Sequence, residues 1–530
     1  MEDGPAVGVA AGGPPPSPQA RAPIPGYLKA SVFLAGMAVM GAEMAAPRLL
    51  APSFGTSQLI WTNIIATVLA ALTLGAWVGG RLADRWPSIP AYARALGLAG
   101  ALLAVVPLIA RPVLAAAAEA LAAQKAGTFL LSLASVCLFF APPTLLLGMV
   151  GPWAVRLAGA GRSDLGRVAG VLSGLSAFGS ILGTFLGSLV ALPLLGTSRT
   201  ILAVAAVLIV TGALRAFPGL AARAGVALLS PLLVALPAGK VRWEPGTLHE
   251  SESLYQYVQV REEQEGPYAG WRRLFLSEGQ GYHSVLPARG VLTGGIWDYM
   301  TVLPALRAEK RPALRVLNVG LAAGTVARQI DHYFSKSHEL AIDGVEIDPE
   351  VLDCGRRFFR MGEISTLTAH AADGRAFLAA SPARYDVIIV DAYRQPYIPF
   401  HMATKEFFDL SRAHLAPGGV FALNVGATAQ AEDLLAGFAA TLRASFPHVV
   451  RFHLGNWDVP FTNYIYVAAD HPLGPPAASD VHPDLGRFVL PEVRRTWMAV
   501  GAGPGRVFTD DLAPVELLTN RMILRAVLRQ

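Results

Sequence analysis

The sequence contains few cysteines and few charged residues. Only two of its 530 residues are cysteines, Cys137 in an apolar run and Cys354 in a predicted helix, which excludes a disulfide framework and a cysteine metal cluster. Charged residues make up 15% of the chain and hydrophobic residues 53%, which is too apolar for an ordinary soluble protein. The net charge of +5 is therefore weak support for nucleic-acid binding, and we expect neither a nucleic-acid partner nor a bound metal.

Long apolar runs fill the N-terminal half. Residues 1–26 are rich in Pro, Gly and Ala and lack the apolar core and cleavage site of a signal peptide, so we interpret them as a disordered tail. Residues 27–239 are predicted to form a transmembrane helical domain, because spans of about 20 apolar residues suit the bilayer. Residues 224–239, broken by two prolines, are either a short seventh span or a helix at the interface. The six predicted spans lie near 29–50, 58–80, 93–115, 127–150, 168–195 and 198–215.

Basic residues beside these spans predict the orientation of the chain. With the N-terminus inside, the inner connections hold eight basic residues and the outer connections four, which favours this orientation. Six spans then leave the C-terminal half in the cytoplasm, whereas seven would export it. The inner residues are Arg21, Lys29, Arg81, Arg85, Arg94, Arg156, Arg162 and Arg167, and the outer residues are Arg48, Arg111, Lys125 and Arg199.

Glycines recur every four residues in the fifth predicted span, at Gly179, Gly183 and Gly187. A glycine face of this kind lets two helices approach closely. It predicts tight packing within the chain or, as the alternative, a seam between two copies in a homodimer.

The sequence pattern changes after the apolar half. "YQYVQVRE" and "RRLFLS" alternate apolar and polar residues and predict a β-hairpin within 250–285. Between 312 and 470, apolar strands alternate with amphipathic helices, which predicts a Rossmann-like, doubly wound and mostly parallel sheet. Residues 480–530 are predicted to form a helical tail. We therefore expect residues 240–530 to form one α/β domain with an N-terminal β-hairpin.

Small or acidic residues follow several strands of this α/β domain. "VGLAAGT" opens a helix with Gly320 and Gly324, where backbone N–H groups can approach a ligand. Glu346 ends the next strand, where an acid can accept hydrogen bonds from both ribose hydroxyls, and Asp373 in "AADG" could bind an adenine amine. Asp391 ends the buried strand "VIIV". Together these residues predict a site for an adenosine-containing ligand at the carboxyl edge of the sheet.

The C-terminal half contains six short motifs that can be compared with known families. They are "SLYQ", "LFLSEGQGYHS", "VEIDPEV", "AADG", "YDVIIVDAY" and "TDDLAPVE". Through them, residues 250–425 resemble the spermidine synthase family of aminopropyltransferases, which share the class I fold of S-adenosylmethionine methyltransferases. The preceding spans are similar to the membrane-anchored branch of that family. The resemblance implies a transferase of polyamine biosynthesis, in which an amine attacks the aminopropyl carbon of decarboxylated S-adenosylmethionine.

The resemblance also implies roles for individual residues. Asp391 would take the proton from the attacking amine, Gln256 would contact the cofactor tail, Glu346 the ribose and Asp373 the adenine. Because the sulfonium leaving group is already activated, positioning and a base suffice and no metal is needed. The other implied cofactor-binding residues are His283, Gly320 and Gly324, and the implied acceptor-binding residues are Asp298, Tyr393 and Arg394.

Two positions depart from the pattern of that family. Ala323 stands in the glycine loop where the family has an acid that binds the ammonium group of the aminopropyl tail. Arg394 stands where the family has a second acid that helps to hold the diamine, and a guanidinium repels a dication. We therefore expect a small-molecule amine other than plain putrescine as the acceptor.

Two further functions are compatible with the same residues. A methyltransferase using intact S-adenosylmethionine would tolerate Ala323, because the intact cofactor carries a carboxylate. A membrane transporter or sensor could bind an adenosyl ligand in the α/β domain without turnover. Since an adenosyl sulfonium belongs to the cytosolic pool, we choose six spans, and expect a multi-pass protein of the cell membrane with a cytoplasmic catalytic domain.

Overall fold

The computed structural model describes residues 23–54, 58–122, 128–230, 232–235, 244–277, 281–393, 397–428, 431–454, 461–501 and 503–528. Apolar helices form the N-terminal part, and an α/β fold forms the C-terminal part, as predicted.

The N-terminal part contains five helices that are long and apolar enough to cross a membrane. The last of them, Leu165–Ala216, has 52 residues and is interrupted at Gly196, whose φ of 77° is not helical. The fifth and sixth predicted spans lie on either side of this break. The elements are α1 (Gly26–Phe54), α2 (Gln58–Arg85), α3 (Ile89–Ala122), α4 (Thr128–Gly159), α5 (Leu165–Leu186), a π-helical turn (Gly187–Ala191), α6 (Leu192–Ala216), α7 (Leu220–Leu229) and α8 (Leu232–Ala235).

Glycines allow the long helices to pack closely within the chain. A Cβ atom at Gly179 would lie 2.0 Å from the carbonyl oxygen of Phe33, and one at Gly183 would lie 2.3 Å from that of Met37, so α5 packs directly on the backbone of α1. The glycine spacing predicted from the sequence thus serves packing between helices of the same chain.

A four-stranded antiparallel sheet opens the α/β part. Its strands, in spatial and chain order, are β1 (Thr247–Glu252), β2 (Tyr257–Glu262), β3 (Arg272–Leu276) and β4 (Tyr282–Leu286). The predicted hairpin corresponds to β2 and β3. The sequence "TLHESE" of β1 is polar because this strand is at an edge of the sheet and is only partly buried.

An eight-stranded sheet follows, with the strand order β12-β10-β11-β9-β8-β5-β6-β7. The strands from β9 to β7 pair in parallel, whereas β11, β10 and β12 are added antiparallel to one side. This is the mostly parallel, Rossmann-like sheet that the sequence predicts. The predicted helical tail also contributes the short edge strand β12. The strands are β5 (Ala313–Val319), β6 (Glu339–Glu346), β7 (Leu367–Ala371), β8 (Tyr385–Val390), β9 (Leu415–Ala427), β10 (His448–His453), β11 (Thr462–Ala469) and β12 (Met498–Ala499).

Helices cover both faces of this sheet. On one face Ile330 packs with Val316 and Ile342 of the sheet, and on the other Phe407 packs with Phe421. All six residues of β8 are buried, which is why its sequence is continuously apolar apart from Asp386. The helices are α9 (Ile296–Met300), α10 (Thr325–Phe334), α11 (Pro349–Phe358), α12 (Gly374–Ala380), α13 (Lys405–Ala413), α14 (Glu432–Ser445), α15 (Pro483–Phe488), α16 (Leu490–Thr496) and α17 (Val515–Leu528).

Direct polar contacts join the two parts. The guanidinium of Arg48, near the end of α1, donates hydrogen bonds to the carbonyl oxygens of Ser253 and Leu254, the latter at 2.6 Å. The carboxylate of Glu252 at the end of β1 accepts hydrogen bonds from the hydroxyl and the backbone N–H of Thr197, just after the helix break. The first sheet is therefore anchored to the end of α1 and to the first turns of α6.

Candidate active site

The predicted acids and glycines meet along one edge of the large sheet. β7, β6, β5 and β8 are consecutive neighbours and run in parallel, so their carboxyl ends lie side by side. Asp373 follows β7, Glu346 ends β6, the loop 320–324 follows β5, and Asp391 follows β8. This is the edge at which open α/β sheets bind ligands.

The loop 320–324 passes very close to the end of β8. Gly320 has a φ of 83°, and a Cβ atom there would lie 2.4 Å from the carbonyl oxygen of Asp391, so only glycine fits. Gly324, with a φ of 86°, caps the start of α10. The N–H of Ala323 donates to the hydroxyl of Ser284 at 2.9 Å, which ties the loop to β4. The loop is thereby fixed between the two sheets.

Glu346 is a buried carboxylate held by backbone amides. Its oxygens accept hydrogen bonds from the N–H groups of Ala322 at 3.0 Å and Asp348 at 3.2 Å. Burial raises the pKa of Glu346 to about 7, although these amide hydrogen bonds oppose the shift. Ile347 beside it is an exposed apolar side chain, 41% accessible. A carboxylate next to an apolar surface suits a ribose and its base.

Gln256 reaches the same region from the first sheet. Its side-chain amide donates to the carboxylate of Asp348 at 3.3 Å, and the hydroxyl of Ser253 donates to the same oxygen at 2.6 Å. Asp348 in turn caps α11 by accepting a hydrogen bond from the N–H of Glu350. The structure therefore brings Gln256 to the segment that begins at Glu346, through Asp348.

Asp391 is half-buried and receives two hydrogen bonds. The side-chain amide of Asn424, on β9, donates to its carboxylate at 2.8 Å, and the indole of Trp297, on α9, is the second donor. Burial raises the pKa of Asp391 to about 7, because these hydrogen bonds only partly offset the loss of solvent. A carboxylate with this pKa can accept a proton near neutral pH.

The side chain of Tyr393, two residues after Asp391, is held in place by hydrogen bonds to β9. Its hydroxyl donates to the carbonyl oxygen of Asn424 at 3.0 Å and accepts from the N–H of Gly426. Burial raises the pKa of Tyr393 far above its usual value, so this phenol stays neutral. Arg394, the neighbouring residue predicted to contact the acceptor, lies outside the described residues.

Asp298 occupies a different environment from Asp391. It is 4% exposed and accepts hydrogen bonds from the N–H groups of Thr293 and Gly294 and from the amide of Gln329 at 2.6 Å. It thus holds the loop at the start of α9, and its neighbour Trp297 contacts Asp391. The family resemblance implied an acceptor-binding role for Asp298 but no role for Trp297. The indole was missed because a tryptophan in an apolar pattern is usually a core residue.

Asp373 and His283 lie on either side of this centre. Asp373 caps α12 by accepting from the N–H of Ala376 at 2.9 Å, and it pairs with the imidazole of His401 at 3.3 Å. His283 lies on β4 beside Ser284, the residue that holds the loop 320–324. Arg375 next to Asp373 pairs with Asp510 at 2.6 Å, so the C-terminal motif "TDDLAPVE" packs against this end of the edge.

One group of described residues has donor atoms close enough to hold a metal ion. These atoms, from His249, Glu350 and Cys354, lie within 4.8 Å of one another. Hydrogen bonds account for the pairing, since His249 lies 2.9 Å and the Ser251 hydroxyl 2.7 Å from the same Glu350 oxygen. The cluster joins β1 to α11 and includes none of the residues at the carboxyl edge.

The part of the chain that carries these residues is similar to a known domain family. Residues 299–454 match the spermine/spermidine synthase domain. This confirms the predicted resemblance, and the match includes Glu346, Asp373 and Asp391.

Two relatives of this chain are named as polyamine aminopropyltransferases. A probable polyamine aminopropyl transferase of Bifidobacterium longum is 39% identical over 183 residues, which cover 34% of this chain and 38% of that protein. The polyamine aminopropyltransferase of Vibrio vulnificus is 28% identical over 239 residues, which cover 43% of this chain and 75% of that protein. The match thus spans little more than a third of the length of the Bifidobacterium protein.

Two further proteins are similar to parts of this chain. The human eEF1A lysine and N-terminal methyltransferase is 32% identical over 146 residues, which cover 25% of this chain and 20% of that protein. The crystal structure of a probable spermidine synthase from Corynebacterium glutamicum matches with a TM-score of 0.41 and 18% identity, and covers 51% of this chain and 97% of that chain.

Proposed function

We propose that this protein is a membrane-bound aminopropyltransferase that transfers the aminopropyl group of decarboxylated S-adenosylmethionine to an amine. One observation carries the proposal: Asp391, whose side chain has a pKa of about 7, follows β8 at the point where its backbone meets the loop 320–324, on the edge that also holds Glu346. The names of the relatives support the same reaction class. The five long apolar helices support the membrane location.

The donor would bind along the carboxyl edge. Glu346 would accept hydrogen bonds from the ribose hydroxyls, and the backbone of Gly320 and Gly324 would line the sulfonium side. Asp373, at the end of the neighbouring strand, would contact the adenine amine. Gln256 and His283 come from the first sheet and would close over the aminopropyl tail.

Asp391 would act on the acceptor. The nitrogen lone pair of the amine attacks the aminopropyl carbon bonded to sulfur, the new C–N bond forms as the C–S bond breaks, and methylthioadenosine leaves with the bonding electrons. The proton released by the amine passes to Asp391, whose pKa lies near the operating pH. Asn424 and Trp297 orient the carboxylate for this step.

The acceptor slot would be bounded by Tyr393 and Trp297, with Asp298 holding Trp297 in place. The loop 320–324 has Ala322 and Ala323 at its centre and contains no acidic residue. It therefore offers no carboxylate to bind an ammonium group. With Arg394 next in sequence to Tyr393, the charge balance disfavours a diamine dication. An amine with a single positive charge, or with a compensating anionic group, fits this balance better than plain putrescine.

Methyl transfer from intact S-adenosylmethionine is the second candidate. Ala323, which is buried, leaves no carboxylate that would repel the carboxylate of the intact cofactor. The similarity to a human methyltransferase over 146 residues agrees with this alternative.

The test is a product screen with the purified full chain, the two cofactor forms and a panel of amines. Mass spectrometry should detect an amine enlarged by one aminopropyl group, together with methylthioadenosine, only when decarboxylated S-adenosylmethionine is supplied. Asp391→Asn should lose this product. Asp353→Asn, which removes an exposed acid of α11 that pairs with Arg357, should keep it. A methylated product from the intact cofactor would replace the first candidate with the second.

A further inference from the structure

The long helices have two distinct ends, and the contacts define them. At the first end, the Tyr27 hydroxyl near the start of α1 donates to the carbonyl of Thr211 near the end of α6 at 3.1 Å. Tyr27 also packs edge-on against Tyr92 near the start of α3, with ring centroids 6.2 Å apart. Asp84 and Arg156, at the ends of α2 and α4, form an ion pair of 2.8 Å. The described N-terminus is thus at the first end.

The α/β domain is attached to the opposite, second end. The end of α1 is there, because α1 runs away from Tyr27, and so is the helix break at Gly196. Arg48 donates to the carbonyl of Leu254 at 2.6 Å, and Glu252 accepts from the N–H of Thr197 at 3.3 Å. These contacts fix β1 and the turn after it against the second end.

The chain must therefore return across the bundle before the α/β domain begins. It leaves α6 at Ala216 at the first end and enters β1 at Thr247 at the second end. Residues 197–216 rise about 30 Å at 1.5 Å per residue, which is the thickness of the hydrocarbon core. The apolar helical stretch Leu220–Ala235 begins the return, and both of its helices contact α6. The 10 residues of α7 and the 4 residues of α8 together rise about 21 Å at 1.5 Å per residue, which is most of the return distance.

We propose that the chain crosses the membrane a seventh time between Ala216 and Thr247, beginning with α7 and α8, so that the start of α1 and the α/β domain lie on opposite faces of the membrane. The proposal rests on the membrane location, but not on the reaction that the α/β domain catalyses. It replaces the six-span interpretation, in which the stretch 224–239 could lie at the interface and both termini share one side. The two interpretations differ in where β1 lies. The end of β1 and the turn after it contact the end of α1 and the first turns of α6, and both of these are at the second end.

The basic residues then identify the faces. The first end and its connections carry Arg81, Arg85, Arg94, Arg156, Arg162 and Arg167, whereas Arg48, Arg111 and Arg199 are the basic residues toward the second end in the described part of the helices. Basic residues accumulate on the cytoplasmic side of membrane helices. The first end is therefore cytoplasmic, and the α/β domain lies on the outer side of the membrane. This placement is the opposite of the one expected from a cytosolic donor, so an adenosyl donor made in the cytosol would have to reach the domain from across the membrane.

Cysteine labelling tests both statements on the full chain. Ser163→Cys places an exposed thiol in the connection between α4 and α5 at the first end, and Ser479→Cys places one on the surface of the α/β domain. In spheroplasts, a membrane-impermeant maleimide should label the variant at position 479, while labelling at position 163 falls to the background of the parent chain. Inverted vesicles should give the reverse. The parent chain is the matched control, since its Cys137 lies within the apolar helix α4 and its Cys354 is buried.

Labelling after solubilisation in denaturing detergent gives the total for each variant and shows that both thiols react when accessible. Labelling of both variants from the same side would overturn the seventh crossing. Labelling of position 163 alone in spheroplasts would keep the crossing and overturn the assignment of the faces. Neither outcome depends on enzymatic activity, so the proposed transferase function stands or fails separately.

Discussion

The Asp391→Asn substitution should abolish transfer and, at alkaline pH, should increase the stability of the folded protein. A positioned general base contributes roughly 100-fold or more to the rate, so we expect a loss of at least that size. The asparagine has the same size and can still accept the hydrogen bond from Asn424, now 2.8 Å from Asp391. The loss would therefore report the missing proton acceptor and not a displaced side chain.

The effect on stability follows from the pKa of Asp391. Burial raises this pKa from 3.8 to about 7, so the folded chain holds the proton more tightly than the unfolded chain. The penalty for ionisation is absent below pH 4, grows as the pH rises, and is complete above pH 7. A shift of about three pH units corresponds to about 4 kcal/mol. Because the side chain keeps some contact with solvent, we expect about half of this, ~2 kcal/mol, at pH 8.

Thermal unfolding of the full chain in detergent, measured at pH 4 and pH 8, checks this sign. The asparagine variant should match the parent at pH 4 and unfold at a higher temperature at pH 8. Asp353→Asn, on the exposed face of α11, should not change the pH dependence. Retained activity in Asp391→Asn, or a lower unfolding temperature at pH 8, would refute the assignment of Asp391 as a buried base.

Three further substitutions test the surroundings of this base. Asn424→Ala removes a hydrogen bond that stabilises the carboxylate form of Asp391, so the pH of half-maximal rate should move above 7, and a downward shift in the pH–rate profile would contradict this. Gly320→Ala forces a side chain onto the carbonyl of Asp391 at a positive φ and should lower the free energy of unfolding by about 1–3 kcal/mol or more, while Gly362→Ala, which has open space around it, should be tolerated in the same unfolding assay. Glu346→Gln should weaken binding of the adenosyl donor by about 10- to 100-fold in calorimetry, since hydrogen bonds to a charged group are lost, and unchanged affinity would remove Glu346 from the donor site.

Most of the α/β fold could be predicted because its local patterns agree with its tertiary structure. The strand β8 reads as an apolar run because both faces of the central sheet are covered by helices. The helices α10 and α11 begin at Thr325 and Pro349, directly after Gly324 and Asp348, which are residue types that favour a helix start. In these segments the sequence period, the capping residue and the burial all point to the same element.

The parts that could not be predicted depend on contacts between distant segments. The polar sequence of β1 does not alternate, because this edge strand is stabilised by pairing with β2 and by Arg48 of α1. Trp297 meets Asp391 although they are far apart in sequence, and no local pattern encodes that contact. Likewise the side of the bundle on which the α/β domain lies is set by the Glu252–Thr197 contact, and charge counting over the spans cannot reveal it.

The turn after β1 has a consequence for how lipid and donor influence each other. The carbonyl oxygen of Ser253 accepts a hydrogen bond from Arg48, and its hydroxyl donates one to the carboxylate of Asp348. The backbone N–H of Asp348 in turn donates to the carboxylate of Glu346. Two residues, Ser253 and Asp348, therefore connect the end of α1, which we propose to span the membrane, to the carboxylate expected to hold the ribose. If crowding or thinning of the bilayer displaces that helix tip, donor affinity should change, and by thermodynamic reciprocity a bound donor should resist the same displacement to an equal degree.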